Sequence, residues 1–584
     1  MFTGVALELW PQQDWVPPAA ASEAFGLSSI WSMLGRPGMD LFWVFCLSIL
    51  LQMLILIGPW HVQWTVDEGL MSHDAHLVLV LAMGFALVSL VRVGCAWLRG
   101  LVVVRLGHHL SFQLASRLLH HMLNLPLDWF ERRHMGDITT RFGSLQPVRD
   151  FLIQGVAAIL VDSTMVLLAM TLMLVYSWQI ALMILAVHCG LGMINLVVVP
   201  YLRRLSLACI HAQAREDTQL IESIRAVYSI KVYAQEASRY QHWQRLHADT
   251  IQQNIIQQSA QLNLASLHQA VSALELVMVV YLAAQMTLDQ QLTIGMLFAF
   301  ISYRGQFAER MRSLLDGLVS YKTLQVHFER LGEIWQAPGD LAEFDADGIT
   351  FAASQTELSC RQVGFRFSQT TPWLLRDFDL DIAPGEFVAI VGASGVGKTT
   401  LLKLLMGLAT PDEGEVLLGG IRLCGTQAAS FRQQMGCVVQ DDVLFKGSVL
   451  ENITLDRHVD HHRVAEVVAM VGLHQLLANL PMGYASQIGD IGEHFSAGQK
   501  QRLLLARALY QNPAYLFLDE PTANLDARNA ASIGGLLSDL SCTRVMVTHD
   551  EQLATMADRV IHLQQSSGTN AVLLETQQLS VQGG

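Results

Sequence analysis

The chain has 584 residues, of which 52% are hydrophobic and only 15% charged, with a formal net charge of -14. That length calls for several domains, and a charged fraction well below the roughly one quarter of soluble domains points to a membrane portion. The acidic balance excludes nucleic acid as the main partner, and eight scattered cysteines, without CxxC or a Cys/His cluster, argue against structural zinc and read as reduced packing residues.

In chain order, the opening MFTGVALELWP has neither the basic start nor the apolar core of a secretory signal, and FTGVALEL alternates like a β-strand. Between Asp40 and Asp67 there is no Asp, Glu, Lys or Arg. As a helix this run reaches about 39 Å, beyond the roughly 30 Å hydrocarbon core. A second apolar segment covers about 75–98, interrupted by Arg92. An uncharged tract between Asp162 and Arg203, broken at YSWQ (176–179), reads as two helices joined by a very short turn. Two more segments follow near 261–286 and 292–314, for six predicted spans. Acidic residues alone (Asp67, Glu68, Asp74, Asp289) mark the short loops, whereas 92–149 carries eight arginines and 203–249 has seven bases against five acids. The positive-inside rule makes these long segments and both termini cytoplasmic. They are low in Pro and Gly, so they read as antiparallel helical arms reaching several tens of ångströms beyond the spans. Within the spans, Glu275 and Asp162 are costly unless they face a partner or a cavity, either a substrate path or a helix–helix contact. His188 reads as a packing residue.

From about residue 339 the pattern changes to short runs such as FVAIVG and AYLFLD alternating with helical periods, the mark of a parallel α/β domain. The expected organisation is a lead-in over 1–38, a helical membrane domain over 39–336, a linker over 337–355 and an ATPase domain over 356–584.

The stretch VAIVGASGVGKTTLLKLL fits GxxxxGK[ST] over 392–399 between a strand and a helix. Gly392, Gly395 and Gly397 let the backbone wrap phosphates. The loop and first helical turn (Gly392, Ala393, Ser394, Gly395, Val396, Gly397, Lys398, Thr399, Thr400) present N–H groups and positive potential. Lys398 is expected to reach the β- and γ-phosphates of ATP, and Thr399 to offer its hydroxyl to Mg²⁺. Downstream, YLFLDE (515–520) reads as a buried strand ending in two acids, Asp519 to hold Mg²⁺ and Glu520 to polarise the attacking water.

Together with FSAGQKQRLLLARALY and VMVTHD, these residues resemble the ATPase domain of ABC transporters. The resemblance implies adenine stacking on Phe367 in VGFRF, a Phe where Tyr is frequent. It implies a metal- and water-contacting Gln440 in CVVQDDVLF, a signature loop presenting Ser496, Gly498 and Gln499, a nucleotide-contacting Asp526 in ANLD, and a switch His549 that contacts the γ-phosphate and holds the closed geometry. The signature departs from LSGGQ at Phe495 and Ala497, and Ala497 matters only if its position needs positive φ, which costs a non-glycine residue about 1 kcal/mol or more. Six spans followed by one ATPase look like a half-size exporter of the type I ABC exporter fold. That layout implies a homodimer with each ATP held between the phosphate loop of one copy and the signature loop of the other, and alternating access. Coupling helices are expected around 141–149 and 222–236.

The stretches LDWFERRHMGDITTRFGSLQPVRDFLIQG, ESIRAVYSIKVYAQEASR and LTIGMLFAFISYRGQF are similar to the colicin V and bacteriocin secretion branch. In that branch an N-terminal cysteine peptidase domain usually precedes the transporter, joined by a stretch like FTGVALEL. Here the first cysteine is Cys46, inside the first span, so the opening residues read as a remnant of a missing peptidase. The resemblance implies export of a bacteriocin- or toxin-like peptide through a multi-pass protein of the bacterial inner membrane, in contact with the lipid bilayer, without cleavage, with a periplasmic adaptor and outer-membrane channel as further partners. The alternatives are export of lipids or amphiphilic drugs, and an ATPase serving as a sensor or assembly platform.

Overall fold

The computed structural model describes residues 38–133, 135–337, 339, 356–368, 371–440, 442–455, 457–488, 495–523, 525, 527–565 and 572–578. The opening strand, nearly all of the linker and Asp526 lie outside the described residues. The chain divides into two compact units, 1–123 with 130–337 and 338–584 with 124–129.

The first unit is built on six long helices at the expected positions: α1 (Gly38–Trp64), α2 (Ala75–Leu123), α3 (Val156–Tyr176), α4 (Trp178–Arg225), α5 (Glu236–Leu288) and α6 (Ile294–Trp335). The segments containing α1, α2, α4 and α5 are long and apolar enough to cross a membrane, and α3 carries a shorter apolar stretch, Val161–Tyr176. Along α2, Leu79, Met83, Leu87, Leu90 and Trp97 are all exposed, a face with no protein partner in the unit and one suited to lipid. The short turn between α3 and α4 is Ser177 alone, held by its N–H to Met173 O at 2.9 Å. At 53 residues α5 is about 80 Å long, far more than the hydrocarbon core needs, so the arms are continuous extensions of the apolar segments.

The apolar faces meet in one buried cluster that includes Met165, Ala169 and Met173 of α3, Ile180 and Ile184 of α4, Val279 and Ala283 of α5, and Phe300, Tyr303 and Phe307 of α6. Tyr303 donates to Leu56 O at 3.0 Å, which satisfies its hydroxyl inside this core. At the loop end Asp67 accepts from Thr293 Oγ1 and from the Gly295 N–H at 2.8 Å, joining the α1–α2 turn to the start of α6. Glycine is required there, because a Cβ on Gly295 would lie 2.6 Å from the backbone carbonyl of Gln63 as well as against the Asp67 carboxylate.

Both carboxylates in the apolar helices have cationic partners. Glu275 accepts from Arg304 Nε at 3.2 Å, and Arg304 also donates to Ser272 Oγ at 2.8 Å. Asp162 accepts from Arg310 at 3.1 Å. His188 packs as expected: it is buried, donates from Nδ1 to Ile184 O at 3.0 Å and meets the Phe307 ring edge-on at 5.1 Å.

The arms carry short helices at both of the expected places. The second arm does turn through a short helix, Val227–Val232, with no buried residue. The first arm turns after Leu123, through Leu127–Glu131, and 141–149 falls on two further short helices, Met135–Gly143 and Leu145–Asp150, where Arg141 is tied to Asp137 at 2.8 Å and to Glu333.

The second unit contains β1 (Leu358–Phe365), β2 (Leu375–Ile382), β3 (Phe387–Gly392), β4 (Glu413–Leu418), β5 (Ile421–Arg422), β6 (Met435–Val438), β7 (Gly447–Ser448), β8 (Gln487–Ile488), β9 (Tyr515–Asp519), β10 (Thr543–Val547), β11 (Arg559–Gln565) and β12 (Val572–Gln578). One sheet has the order β2-β1-β4-β5 and is antiparallel. The larger has the order β12-β11-β3-β10-β9-β6, parallel except for its β12 edge. Every residue of β9 and β10 is buried, as parallel strands covered on both faces require.

Removing one member of a buried ion pair leaves an uncompensated charge, typically at a cost of about 3–5 kcal/mol. Arg304→Met should therefore lower the thermal unfolding midpoint of the detergent-solubilised protein sharply, while Arg304→Met combined with Glu275→Leu should recover most of the loss. Equal damage from the single and double substitutions would refute the charge-pairing account.

Candidate nucleotide site

Parallel register assembles the site. Val547 pairs with Asp519 and with Ile390, and Val438 pairs with Leu518. The C-terminal ends of β3, β10, β9 and β6 therefore open on one edge, the side on which ligands bind in open α/β sheets. Gly392 ends β3, Asp519 ends β9, His549 lies two residues beyond β10 and Gln440, which is exposed, two beyond β6.

The phosphate loop leads from β3 into α7 (Lys398–Leu405). Gly395 at φ 82 and Gly397 at φ 104 hold backbone conformations that side chains disfavour, and Gly397 caps α7. The N–H groups at the α7 start are thereby turned toward the loop concavity, an anion cradle. Lys398 is buried, and its ammonium donates to Gly392 O at 2.8 Å and Ala393 O at 3.0 Å and contacts His549 Nε2 at 3.1 Å. Burial pulls its pKa down from the ordinary lysine value, with the Glu520 and Asp519 carboxylates opposing. An anion arriving in the loop would complete its charge pairing.

Thr399 Oγ1 donates to Asp519 Oδ2 at 2.8 Å. Burial pushes the Asp519 carboxyl up from its ordinary value, with the Thr399 hydrogen bond opposing. A buried carboxylate beside a hydroxyl, with Gln440 beyond the neighbouring strand, is an oxygen donor set that fits Mg²⁺, a hard cation usually held by one or two carboxylates and phosphate oxygens. Glu520 follows in the left-handed region at φ 51, a strained conformation for a residue with a side chain, held by its N–H to Val547 O at 2.9 Å. Glu520 Oε1 lies 3.3 Å from His549 Nε2. The structure thus brings Lys398, Thr399, Asp519, Glu520 and His549 together.

Phe367 is 55% exposed and stands edge-on to Phe365 at 5.5 Å. The Leu374 N–H bonds Phe365 O at 2.9 Å, and Leu374 packs 3.1 Å from where a Cβ on Gly397 would be, so this hairpin end flanks the phosphate loop. A base could lie on that exposed ring.

The signature residues open a separate helix, α8 (Ala497–Tyr510). Ser496 is its N-cap, with its Oγ accepting from the Gln499 N–H at 3.3 Å and Gln499 Oε1 accepting from the Ser496 N–H at 2.9 Å, a capping box. Ala497 is the first helical residue and is not among those with positive φ, so its departure from glycine carries no backbone strain. Phe495 packs on the hydrophobic core as an anchor for the loop. Among the described residues, Ser496, Gly498 and Gln499 make no hydrogen bond to the phosphate loop of the same chain.

Arg507 was not singled out from the sequence: buried on α8, it donates to Asn452 O and Oδ1 at 2.9 Å and to Val443 O at 3.1 Å, joining α8 to the segment after Gln440. An arginine inside an apolar helical run was the one available signal.

The chain matches the family model described as ABC transporter transmembrane region over residues 41–311 and that described as ABC transporter over 375–523. It is 33% identical over 563 residues to a probable microcin-H47 secretion/processing ATP-binding protein of Escherichia coli, covering 96% of this chain and 80% of the relative. It is 32% identical over 563 residues to the colicin V secretion/processing ATP-binding protein of the same species, with the same coverage. The alpha-hemolysin translocation ATP-binding protein of Proteus vulgaris is 28% identical over 525 residues, 88% of this chain and 73% of the relative. The fold matches a bacterial Atm1-family ABC exporter with ATP bound at a TM-score of 0.82 and 20% identity, covering 92% of this chain and 95% of the other.

The raised Asp519 pKa has a signed consequence. An unfolded aspartate ionises near about 3.9, earlier than the folded one, so stability falls as pH rises from that value to the folded pKa and stays lowered through neutrality. Asp519→Asn should raise the unfolding midpoint of the nucleotide-free protein at pH 7, and the gain should shrink as pH is lowered toward the ordinary aspartate range. A difference independent of pH would exclude charge burial as its cause.

Proposed function

The chain belongs to the ABC exporters of the bacteriocin and toxin secretion branch, and on that premise we propose that it exports a peptide across the bacterial inner membrane as a homodimer with two equivalent ATP sites. ATP hydrolysis drives the export. The observation that carries the reading is the assembly of Lys398, Thr399, Asp519, Glu520 and His549 at one sheet edge, with the signature residues presented elsewhere on the same chain. A half-site of that kind is completed by a second copy.

In the proposed mechanism Phe367 stacks the adenine, and the phosphate loop N–H groups bind the β- and γ-phosphates. Lys398 exchanges its hydrogen bonds to Gly392 O and Ala393 O for phosphate oxygens. Thr399, Asp519 and Gln440 would hold Mg²⁺, which when bound would supply charge neutralisation at the phosphates. Glu520 orients the attacking water and His549 turns from Lys398 to the γ-phosphate. Ser496, Gly498 and Gln499 receive the γ-phosphate of the other copy, and Asp526 contacts nucleotide. Closure of the two ATPase domains on ATP is passed along the arms, whose turns near 124–133 and 227–232 serve as coupling points, to six spans that alternate between inward- and outward-facing states. With the ATPase domain and both termini in the cytoplasm, a periplasmic adaptor and outer-membrane channel would carry the peptide onward. The peptide cargo is supported by relatives named for microcin and colicin secretion.

Glu520→Gln should leave ATP binding intact and lower kcat by about 10²–10⁴, the usual contribution of a positioned general base, and abolish secretion. Secretion that continues without hydrolysis would favour a non-transporting role. ATPase activity of the purified protein stimulated by lipid or amphiphilic drug, and by no leader-bearing peptide, would reassign the cargo.

A further inference from the structure

Gln501 lies in the second turn of α8, behind the signature residues, and its Nε2 donates to the backbone carbonyl of Glu520 at 2.9 Å. The acceptor fixes the amide orientation, because a carbonyl takes a hydrogen bond only from the NH₂ end. Gln501 Oε1 is consequently buried without a hydrogen-bond partner among the described residues. A bond that strands the other half of an amide in this way is a poor device for stability alone.

The carbonyl it holds belongs to the residue at φ 51. Glu520 is pinned through its N–H to Val547 O at 2.9 Å, which ties it to β10, and its carbonyl also accepts from the Ala523 N–H at 3.2 Å. Gln501 alone among these contacts connects it to the signature helix. A left-handed residue persists only while its surroundings over-determine it, so a shift of α8 along its axis changes the orientation of the Glu520 peptide, and with it the direction of the carboxylate. The rigid link is short: from the Ser496 cap, whose Oγ bonds the Gln499 N–H, to Gln501 is less than two helical turns.

We propose that Gln501 is the positioning residue that ties the Glu520 backbone to the signature loop, so that this carboxylate reaches its working orientation when the loop is engaged by the nucleotide of the second copy. Each chain then reads the occupancy of one ATP site through Ser496 and Gly498 and sets the hydrolytic geometry of the other. This rests on the two-copy reading above.

The test uses the full-length protein in lipid nanodiscs with Gln501→Met, which removes the donor at similar volume, and Gln501→Glu, which replaces the donor with an acceptor. Both should bind a fluorescent ATP analogue like the wild type and keep its KM. Both should lose kcat by about a hundredfold, the scale of an ångström-level misplacement of a catalytic group. The Hill coefficient for ATP should fall from above one toward one. Unchanged kcat and cooperativity in both variants would overturn the proposal, and so would loss of nucleotide binding in both, which would make Gln501 a folding residue. Wild-type hydrolysis without cooperativity would instead sink the two-copy reading, and the proposal with it, before any substitution is made.

Discussion

The hydrogen bond from Thr399 Oγ1 to Asp519 Oδ2 joins the first turn of α7 to the end of β9, and the arrangement of the ATPase unit follows from keeping that carboxylate buried. Desolvation disfavours its charge, so the strand that carries it must be flanked on both sides and must deliver it beside a hydroxyl, a cradle of N–H groups and space for a cation. Strands β10 and β6 supply the flanks, and the same parallel register brings His549 and Gln440 out at the edge where Asp519 ends. Lys398 is held by the loop carbonyls of Gly392 and Ala393 and by His549, which fixes its ammonium beside the cradle. The positive charge is stored rather than assembled on demand, which is what electrostatic preorganisation requires.

The helical unit obeys the same constraint in a different solvent. Glu275 and Asp162 are acceptable inside apolar segments because α6 carries Arg304 and Arg310 to meet them. The price is a sixth helix that carries Arg304 and Arg310 beside its buried aromatic residues. Long-range packing of α6 against α3, through residues such as Phe300 and Phe307, offsets that polarity and fixes the partners. Exposed apolar side chains along α2 have no such internal role, which is the pattern expected where lipid is the neighbour.

Two features at the chemical edge look like departures and behave differently. Ala497 replaces a glycine of the usual signature, yet it sits in ordinary helical backbone, so the substitution is conformationally neutral. Glu520 has an ordinary sequence neighbourhood and a strained backbone. Strain is therefore found at the proposed water-orienting carboxylate and not at the loop that differs in sequence, and the tie from Gln501 connects the two.

What the sequence by itself determined was every feature governed by local pattern. Helical segments were legible from long apolar runs, a very short turn within 176–179 from the break in one of them, and the phosphate loop from glycines spaced before a lysine and threonine between a strand and a helix. The run YLFLDE pointed to Asp519 and Glu520 only in company with FSAGQKQRLLLARALY before it and VMVTHD after it, because acidic pairs after apolar runs are common. Tertiary structure decided what depends on residues far apart in the chain. Arg304 was written in the same text as Glu275, but only the packing of α6 against α5 made them a pair. The turn of the first arm, the backbone of Ala497, the Arg507 ties to Asn452 and the bond from Gln501 to Glu520 were likewise invisible. Each is set by where two elements meet, and periodicity along one element carries no information about the element across from it.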